Sequence, residues 1–258
     1  MFPVVFEAGS FQLHTYGPLL ALAFLLGAFW ASLLAKESGF TPEAASRVGD
    51  LALIALLFGL GGARIFYVIA FREEFVAAPW TAITRRDGFI YYGGFLIAAP
   101  AVWIFIRRWN LPVWPTADVI APALALGQAI GRLGCFSQGC CYGARTELPW
   151  GMIFPAESPA GYYNPGVPIH PTQLYESFGA FVLAGILYQI FRRRLVPGSV
   201  FASYLVGYGV LRFAVEMFRD DARGPSIANL SFGQGISLGL LVVGIGLFAR
   251  LRVASSPR

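Results

Sequence analysis

Three groups of residues in this chain have the types and spacing to do chemistry. The first is Gly131–Gly143, GRLGCFSQGCCYG, which ends a long apolar run with Arg132, four glycines and all three cysteines of the protein. A charge near the end of a membrane-length segment is costly and marks a functional site by default, and glycine beside it lets the backbone approach a ligand closely. The second is Arg212, Glu216 and Arg219, spaced i, i+4 and i+7 on one helix face, so that Glu216 can pair with either arginine. The third is His170, Gln173 and Glu176, at the start of another apolar run. Arginine forks suit planar, bidentate binding of phosphate or carboxylate. The chemistry on offer is therefore the holding of an anion at membrane depth.

The elements that must position these groups are membrane helices. Of 258 residues, 57% are hydrophobic and 13% charged, with mean hydropathy +0.63, whereas soluble domains carry about 25% charged residues. The pattern predicts an all-α, polytopic membrane protein with a single membrane domain over residues 1–258. About seven runs are long enough to span: Tyr16–Ala35, Val48–Phe71, Gly88–Ile106, Val113–Cys135, Pro171–Phe191, Ser199–Phe218 and Phe232–Leu251. Met1–Leu13 contains a glutamate and no lysine or arginine, so no signal peptide is expected and the first run stays as a helix. The segment 72–87, with EEFVAAPW, is expected to form a short interfacial helix with Trp80 at headgroup level. The longest connection, 136–170, is rich in Gly and Pro, and loops of this length are usually functional or flexible.

Lysine and arginine placement gives the orientation. With the N-terminus outside, the inner loops and tail hold Lys36, Arg47, Arg107, Arg108, Arg192–Arg194, Arg250, Arg252 and Arg258. The outer side holds Arg72, Arg85, Arg86, Arg145 and Arg223, with Arg219 near a helix end. Ten against five or six favours N-out, C-in. The polar residues within spans then collect in the outer half of the membrane: Tyr16 with His14 just before it, Arg64, Tyr91, Tyr92, Arg132, His170, Gln173, Glu176, Arg212, Glu216 and Arg219. Asp118 alone lies near the inner end of its run.

Snorkelling at helix ends accounts for Arg219 and Glu176, and a buried ion-pair ladder is the structural alternative for Glu216. Neither accounts for Arg64 and Arg212, each followed by several apolar residues. Glu216 and Glu176 together leave positive charge over, and a phospholipid headgroup is the abundant anion at that depth. The net charge of +5 is scattered between apolar runs, which argues against nucleic acid as a partner. No transporter-type internal repeat is visible.

These residues carry a resemblance that covers nearly the whole chain. The sequence resembles the bacterial phosphatidylglycerol–prolipoprotein diacylglyceryl transferase family, whose signature G-R-x-G-N-F-x-N-x-E-x-x-G is matched at Gly131–Gly143. The other shared motifs are LHTYG at Leu13–Gly17, GGARIFYV at Gly61–Val68, DVIAP at Asp118–Pro122, HPTQLYE at His170–Glu176, GYGVLRFAVEMFR at Gly207–Arg219 and SFGQ at Ser231–Gln234. The resemblance implies an enzyme of the bacterial cytoplasmic membrane with its active site toward the outer leaflet. It would move diacylglyceryl from phosphatidylglycerol to the lipobox cysteine of a prolipoprotein signal peptide and release glycerol 1-phosphate. It implies Arg132 and Arg212 as phosphate-binding, catalytic residues. Tyr16, His14, Arg64, His170, Gln173, Glu176, Glu216 and Arg219 would bind substrate or support that network. No cofactor or metal is implied.

The chain also departs from the family. Cys135, Gln138 and Cys140 stand where the signature has Asn, Asn and Glu, and Tyr92-Gly93-Gly94 stands where the family has H-G-G. That histidine is the family's usual candidate base. A tyrosine, with pKa about 10, is a poor base at neutral pH but can donate a hydrogen bond, so Tyr92 takes the catalytic position with the base unassigned. These departures leave open a paralogue with another acceptor, or a lipid-handling protein without turnover. For the cysteines, an outer location makes a Cys135–Cys140 disulfide the first expectation. Structural thiols, a reactive cysteine and a metal site remain open. The adjacency of Cys140 and Cys141 and the lack of a C-x-x-C pair count against metal.

Overall fold

A computed structural model of the chain describes residues 4–8, 11–80, 90–219 and 230–255, with side chains from Thr15 onward apart from residues 91 and 252–255. Among the described residues the named elements are a hairpin of β1 (Val4–Ala8) and β2 (Phe11–His14), followed by nine helices. These are α1 (Tyr16–Glu37), α2 (Pro42–Ala70), α3 (Arg72–Ala77), α4 (Tyr91–Arg108), α5 (Val113–Gln138), α6 (Pro159–Tyr163), α7 (Thr172–Arg192), α8 (Ser199–Glu216) and α9 (Phe232–Ser255). Among the described residues the regular structure is thus helical apart from one short antiparallel hairpin, in which Glu7 pairs with Gln12. The sequence reading assigns no element before Tyr16. The strands form because VVFEA and FQLH combine β-branched and aromatic residues.

Every predicted span corresponds to a helix, but not all are equal. Among the described residues, five helices are long and apolar enough to cross a membrane: α1, α2, α5, α7 and α9. The other two, α4 and α8, have 18 residues each. Helix α8 carries Arg212 and Glu216, which lowers its apolar content. Large apolar side chains such as Leu25, Phe29, Ile69, Phe178 and Val242 face outward, while the buried positions are rich in alanine. That inverse of a soluble fold is expected of helices packed in lipid, where small residues let backbones approach.

The chain forms two compact units, residues 1–27 with 117–258, and residues 28–116. In the second unit α2 starts at a Thr41 cap, whose hydroxyl accepts from Ala44 N at 3.3 Å with Pro42 in the first turn. Helix α4 packs along α2. Their approach is so close at the Tyr92-Gly93-Gly94 motif that a Cβ on Gly94 would lie 2.7 Å from the Gly59 carbonyl oxygen. Within the first unit α8 packs on both α7 and α9. Of segment 72–87, residues 72–80 are described: Arg72–Ala77 form α3, and Trp80 beyond it is 78% exposed. The basic loop residues Arg85, Arg86, Arg223 and Arg258 lie outside the described residues.

The Gly- and Pro-rich connection after α5 is ordered. Phe154, Ala160 and Ile169 form a small buried core, with Phe136, Tyr142 and Met152 packed on it. Met152 and Ile169 exchange backbone hydrogen bonds of 3.0 Å, and Ser158 caps α6 through Gly161 N at 3.1 Å. This loop clamps the C-terminal end of α5 and the turn that follows it, since Ala160 N donates to Gly139 O at 3.0 Å.

Candidate functional site

The first unit brings the signature segment, the His170–Glu176 segment and α8 together. Glu176 on α7 is 1% exposed, a position at which a carboxylate needs partners. It has two. Arg132 of α5 reaches Glu176 Oε1 with Nη2 at 2.9 Å, and Tyr208 of α8 donates its hydroxyl to the same oxygen at 3.1 Å. Ser177 next along α7 donates to Ala129 O at 2.8 Å, which fixes the α5–α7 register one turn below the pair. One oxygen therefore ties three helices.

One turn further along α8 is the second cluster. Tyr208, Arg212 and Glu216 are spaced four apart, so they line one face with about 6 Å between neighbouring Cβ atoms. Arg212 Nη2 pairs with Glu216 Oε2 at 2.5 Å, and Arg219 Nε lies 3.9 Å from the same oxygen. Ser231 donates to Glu216 Oε1 at 2.8 Å while its own N–H is taken by Gln234 Oε1 at 2.9 Å, a reciprocal cap on α9. Gly233 leaves room for this carboxylate: a Cβ there would sit 2.5 Å from Glu216 Oε1 and displace it. Arg212 Nη1 is buried with no hydrogen-bond partner among the described residues. Arg132, Arg212 and Arg219 against Glu176 and Glu216 leave one positive charge over in this cluster.

The two ends of the long loop close around His170. Gly143 N donates to His170 O at 3.0 Å, His170 N to Ala144 O at 2.9 Å, and Ala144 N to Phe218 O at 2.8 Å. Only glycine fits at 143, because a Cβ would meet His170 Cβ and Phe218 O at 2.6 Å each. The imidazole Nδ1 is 3.1 Å from the Tyr175 hydroxyl, and the His170, Tyr175 and Phe218 rings pack edge to face. Gln173, 1% exposed, donates Nε2 to Cys140 O at 2.7 Å, and Thr172 donates to Cys141 O at 2.9 Å. The HPTQLYE segment thus anchors the turn of the signature segment, with Gln173 in a positioning role.

Tyr16 opens α1 beside this turn. Its ring packs on Gly134, where a Cβ would lie 3.0 Å from Cδ2, and the phenol is within electrostatic reach of Arg132 and all three cysteines. Cys135, Cys140 and Cys141 are not joined in a disulfide, so the expected Cys135–Cys140 bridge is not formed in this structure. Hydrogen bonding with Cys135, then with Cys141, and burial raise the Cys140 thiol well above its ordinary pKa. Gln138 is the exposed last residue of α5.

Other polar residues singled out in the sequence fall elsewhere. Asp118, at the opposite end of α5 from Arg132, accepts from Gly198 N at 2.6 Å and Phe201 N at 2.9 Å, so it caps α8. Arg64 and Tyr92 belong to the second unit, where Arg64 stacks 5.6 Å from the Tyr67 ring and Tyr92 is 44% exposed. His14 ends β2, with its side chain outside the described residues, as is that of Tyr91. Tyr208, Ser231 and Tyr175 are site residues that sequence reasoning misses. An uncharged residue carries no depth cost to flag it, although all three lie in motifs read from the sequence, HPTQLYE, GYGVLRFAVEMFR and SFGQ.

Fold and site together define a multi-pass helical membrane protein that pairs Arg132, Arg212 and Arg219 with a buried Glu176 and a half-buried Glu216. The model of the prolipoprotein diacylglyceryl transferase family matches residues 3–250. Three similar proteins are each named phosphatidylglycerol–prolipoprotein diacylglyceryl transferase. That of Clostridium tetani is 34% identical, covering 96% of this chain and 97% of its own. That of Solidesulfovibrio magneticus is 36% identical, covering 96% and 94%. That of Trichormus variabilis is 35% identical, covering 99% and 94%. The chain belongs to the prolipoprotein diacylglyceryl transferase family.

Proposed function

We propose that this protein transfers the diacylglyceryl group of phosphatidylglycerol to the lipobox cysteine thiol in the signal peptide of a prolipoprotein. The thiol sulfur bonds to the glyceryl carbon, the carbon–oxygen bond to phosphate breaks, and glycerol 1-phosphate leaves with the electron pair. The observation that carries the reading is the buried, unpartnered Nη1 of Arg212, one helical turn from Tyr208 in the Arg132–Glu176 network. A buried charged donor without a partner costs stability, and a phosphate diester supplies the missing acceptor.

The roles follow from charge. Arg132 and Arg212 hold the phosphate, and their hydrogen bonds strengthen as its leaving oxygen gains charge, so they favour the transition state over the ground state. Glu176 and Glu216 fix the two forks rather than neutralise them, and Arg219 supports Glu216. His170 and Gln173 shape the loop at the mouth of the site. Tyr16 contacts the headgroup; by family resemblance Arg64 and His14 bind substrate and Tyr92 takes the catalytic position. The acceptor must react as thiolate. With tyrosine in the position of the family histidine, the surplus positive field of the arginines favours that thiolate. The arrangement of seven helices, N-out and C-in, with the site toward the outer leaflet of the bacterial cytoplasmic membrane, is supported by the excess of inner basic residues.

The reaction is tested with purified protein in phosphatidylglycerol bilayers and a lipobox peptide. Mass spectrometry should find the peptide heavier by one diacylglyceryl group, and its Cys→Ser counterpart unchanged. Modification of both peptides, or of neither, would refute the reading.

A further inference from the structure

The cysteines that interrupt the family signature come together in space. The sulfurs of Cys135, Cys140 and Cys141 all lie within 4.8 Å of one another, each residue part-buried. Adjacent residues of an extended chain point to opposite faces, so Cys140 and Cys141 need a backbone device to converge. That device is present. Gly139 has φ 68° and Cys141 has φ 62°, left-handed conformations that only glycine adopts freely. The turn is held from α7 by Gln173 and Thr172, which bond to the carbonyls of Cys140 and Cys141. Cys135 comes from the last turn of α5, three residues after Arg132 and on its face. Strained residues persist where the surroundings over-determine them, and they cluster at ligand clamps.

We propose that Cys135, Cys140 and Cys141 form a three-sulfur site for a thiophilic d10 cation of the zinc or cuprous class. A zinc–sulfur bond is about 2.3 Å, which puts thiolates about 3.8 Å apart around a tetrahedral ion, so these sulfurs need to move inward by only about 1 Å. A disulfide would use two of the sulfurs and leave unexplained why the third is bent into contact with them. Among the described residues no histidine or carboxylate joins the group within the same reach. A cuprous ion would therefore sit in three-coordinate geometry, and a zinc ion would take one exogenous ligand. Soft thiolates select these ions over magnesium or calcium.

Binding is read without reference to transferase activity, so the site and the enzymatic reading fail independently. Reduced, metal-free protein in detergent is titrated with Co²⁺ as a zinc probe and, separately, with Cu⁺ against a chromophoric chelator. One equivalent is expected. Thiolate-to-cobalt charge transfer with tetrahedral d–d bands identifies the zinc class, and retention of Cu⁺ alone identifies the cuprous class. Cys135→Ser, Cys140→Ser and Cys141→Ser should each weaken binding by more than about 100-fold, beyond what loss of an outer partner does. Should a variant not fold, metal protection of all three wild-type thiols against maleimide gives the same answer. Absence of uptake of either ion by the reduced wild type, protection of only two thiols, or binding unchanged in the folded variants overturns the proposal.

Discussion

Arg132 has two duties in this account, one structural and one toward the substrate, and they can be separated. In Arg132→Ala, Glu176 is left 1% exposed with Tyr208 as its remaining partner. Breaking a buried pair by removing one partner costs about 3–5 kcal/mol. The Arg132 side chain is 20% exposed, so water can enter its place, and the low end applies: about 3 kcal/mol, or about 6–12 °C in melting temperature. In Arg132→Ala/Glu176→Gln the charge is gone from both sides, and the amide still accepts from Tyr208. Thermal unfolding in detergent should show most of the lost stability regained. Transfer activity should not return, because the missing donor to the phosphate costs about 10²–10³ in rate. A double variant that regains activity along with stability would reduce Arg132 to a structural residue and refute the reasoning.

Further outcomes follow from the same geometry. Arg212→Lys should keep the charge but lose the fork, with activity lowered more than tenfold and phosphatidylglycerol dependence weakened, as measured by initial rates. Asp118→Ala strips two acceptors from the Gly198 and Phe201 N–H groups. It should cost about 1–2 kcal/mol in unfolding experiments while leaving transfer per folded molecule unchanged. Gly233→Ala presses a methyl group onto the Glu216 carboxylate and should lower activity and stability together, with Gly235→Ala, which meets nothing within 4 Å, as the silent control.

Much of this architecture is legible in the sequence, because membrane depth makes apolar length and charge placement decisive. Each apolar run predicted a helix within a few residues. The i, i+4, i+7 stripe of Arg212, Glu216 and Arg219 is a local property of α8 and reads directly from spacing. The Arg132–Glu176 pair is not local. It joins residues on two helices, and only tertiary packing shows that Glu176 is a buried partner rather than a snorkelling end charge. Asp118 looks like a stray charge until the Gly198 turn is placed over it. Convergence of the cysteines depends on the left-handed backbone at Cys141, which residue identities conceal. The hairpin before α1 is too short for an alternating pattern to stand out beside seven long apolar runs.

The central claim is that Arg132 and Arg212 hold the phosphate that leaves. The direct measurement uses phosphatidylglycerol carrying one isotope label in the acyl chains and another in the headgroup glycerol, incubated with wild-type protein and a lipobox peptide. The acyl label should appear on the peptide thioether, and the headgroup label should leave as glycerol 1-phosphate in equal amount, with both signals lost in the Arg132→Ala/Glu176→Gln protein. Headgroup label released as free glycerol, with phosphate kept on the lipid, or label bound to the protein with the peptide unmodified, would contradict the account.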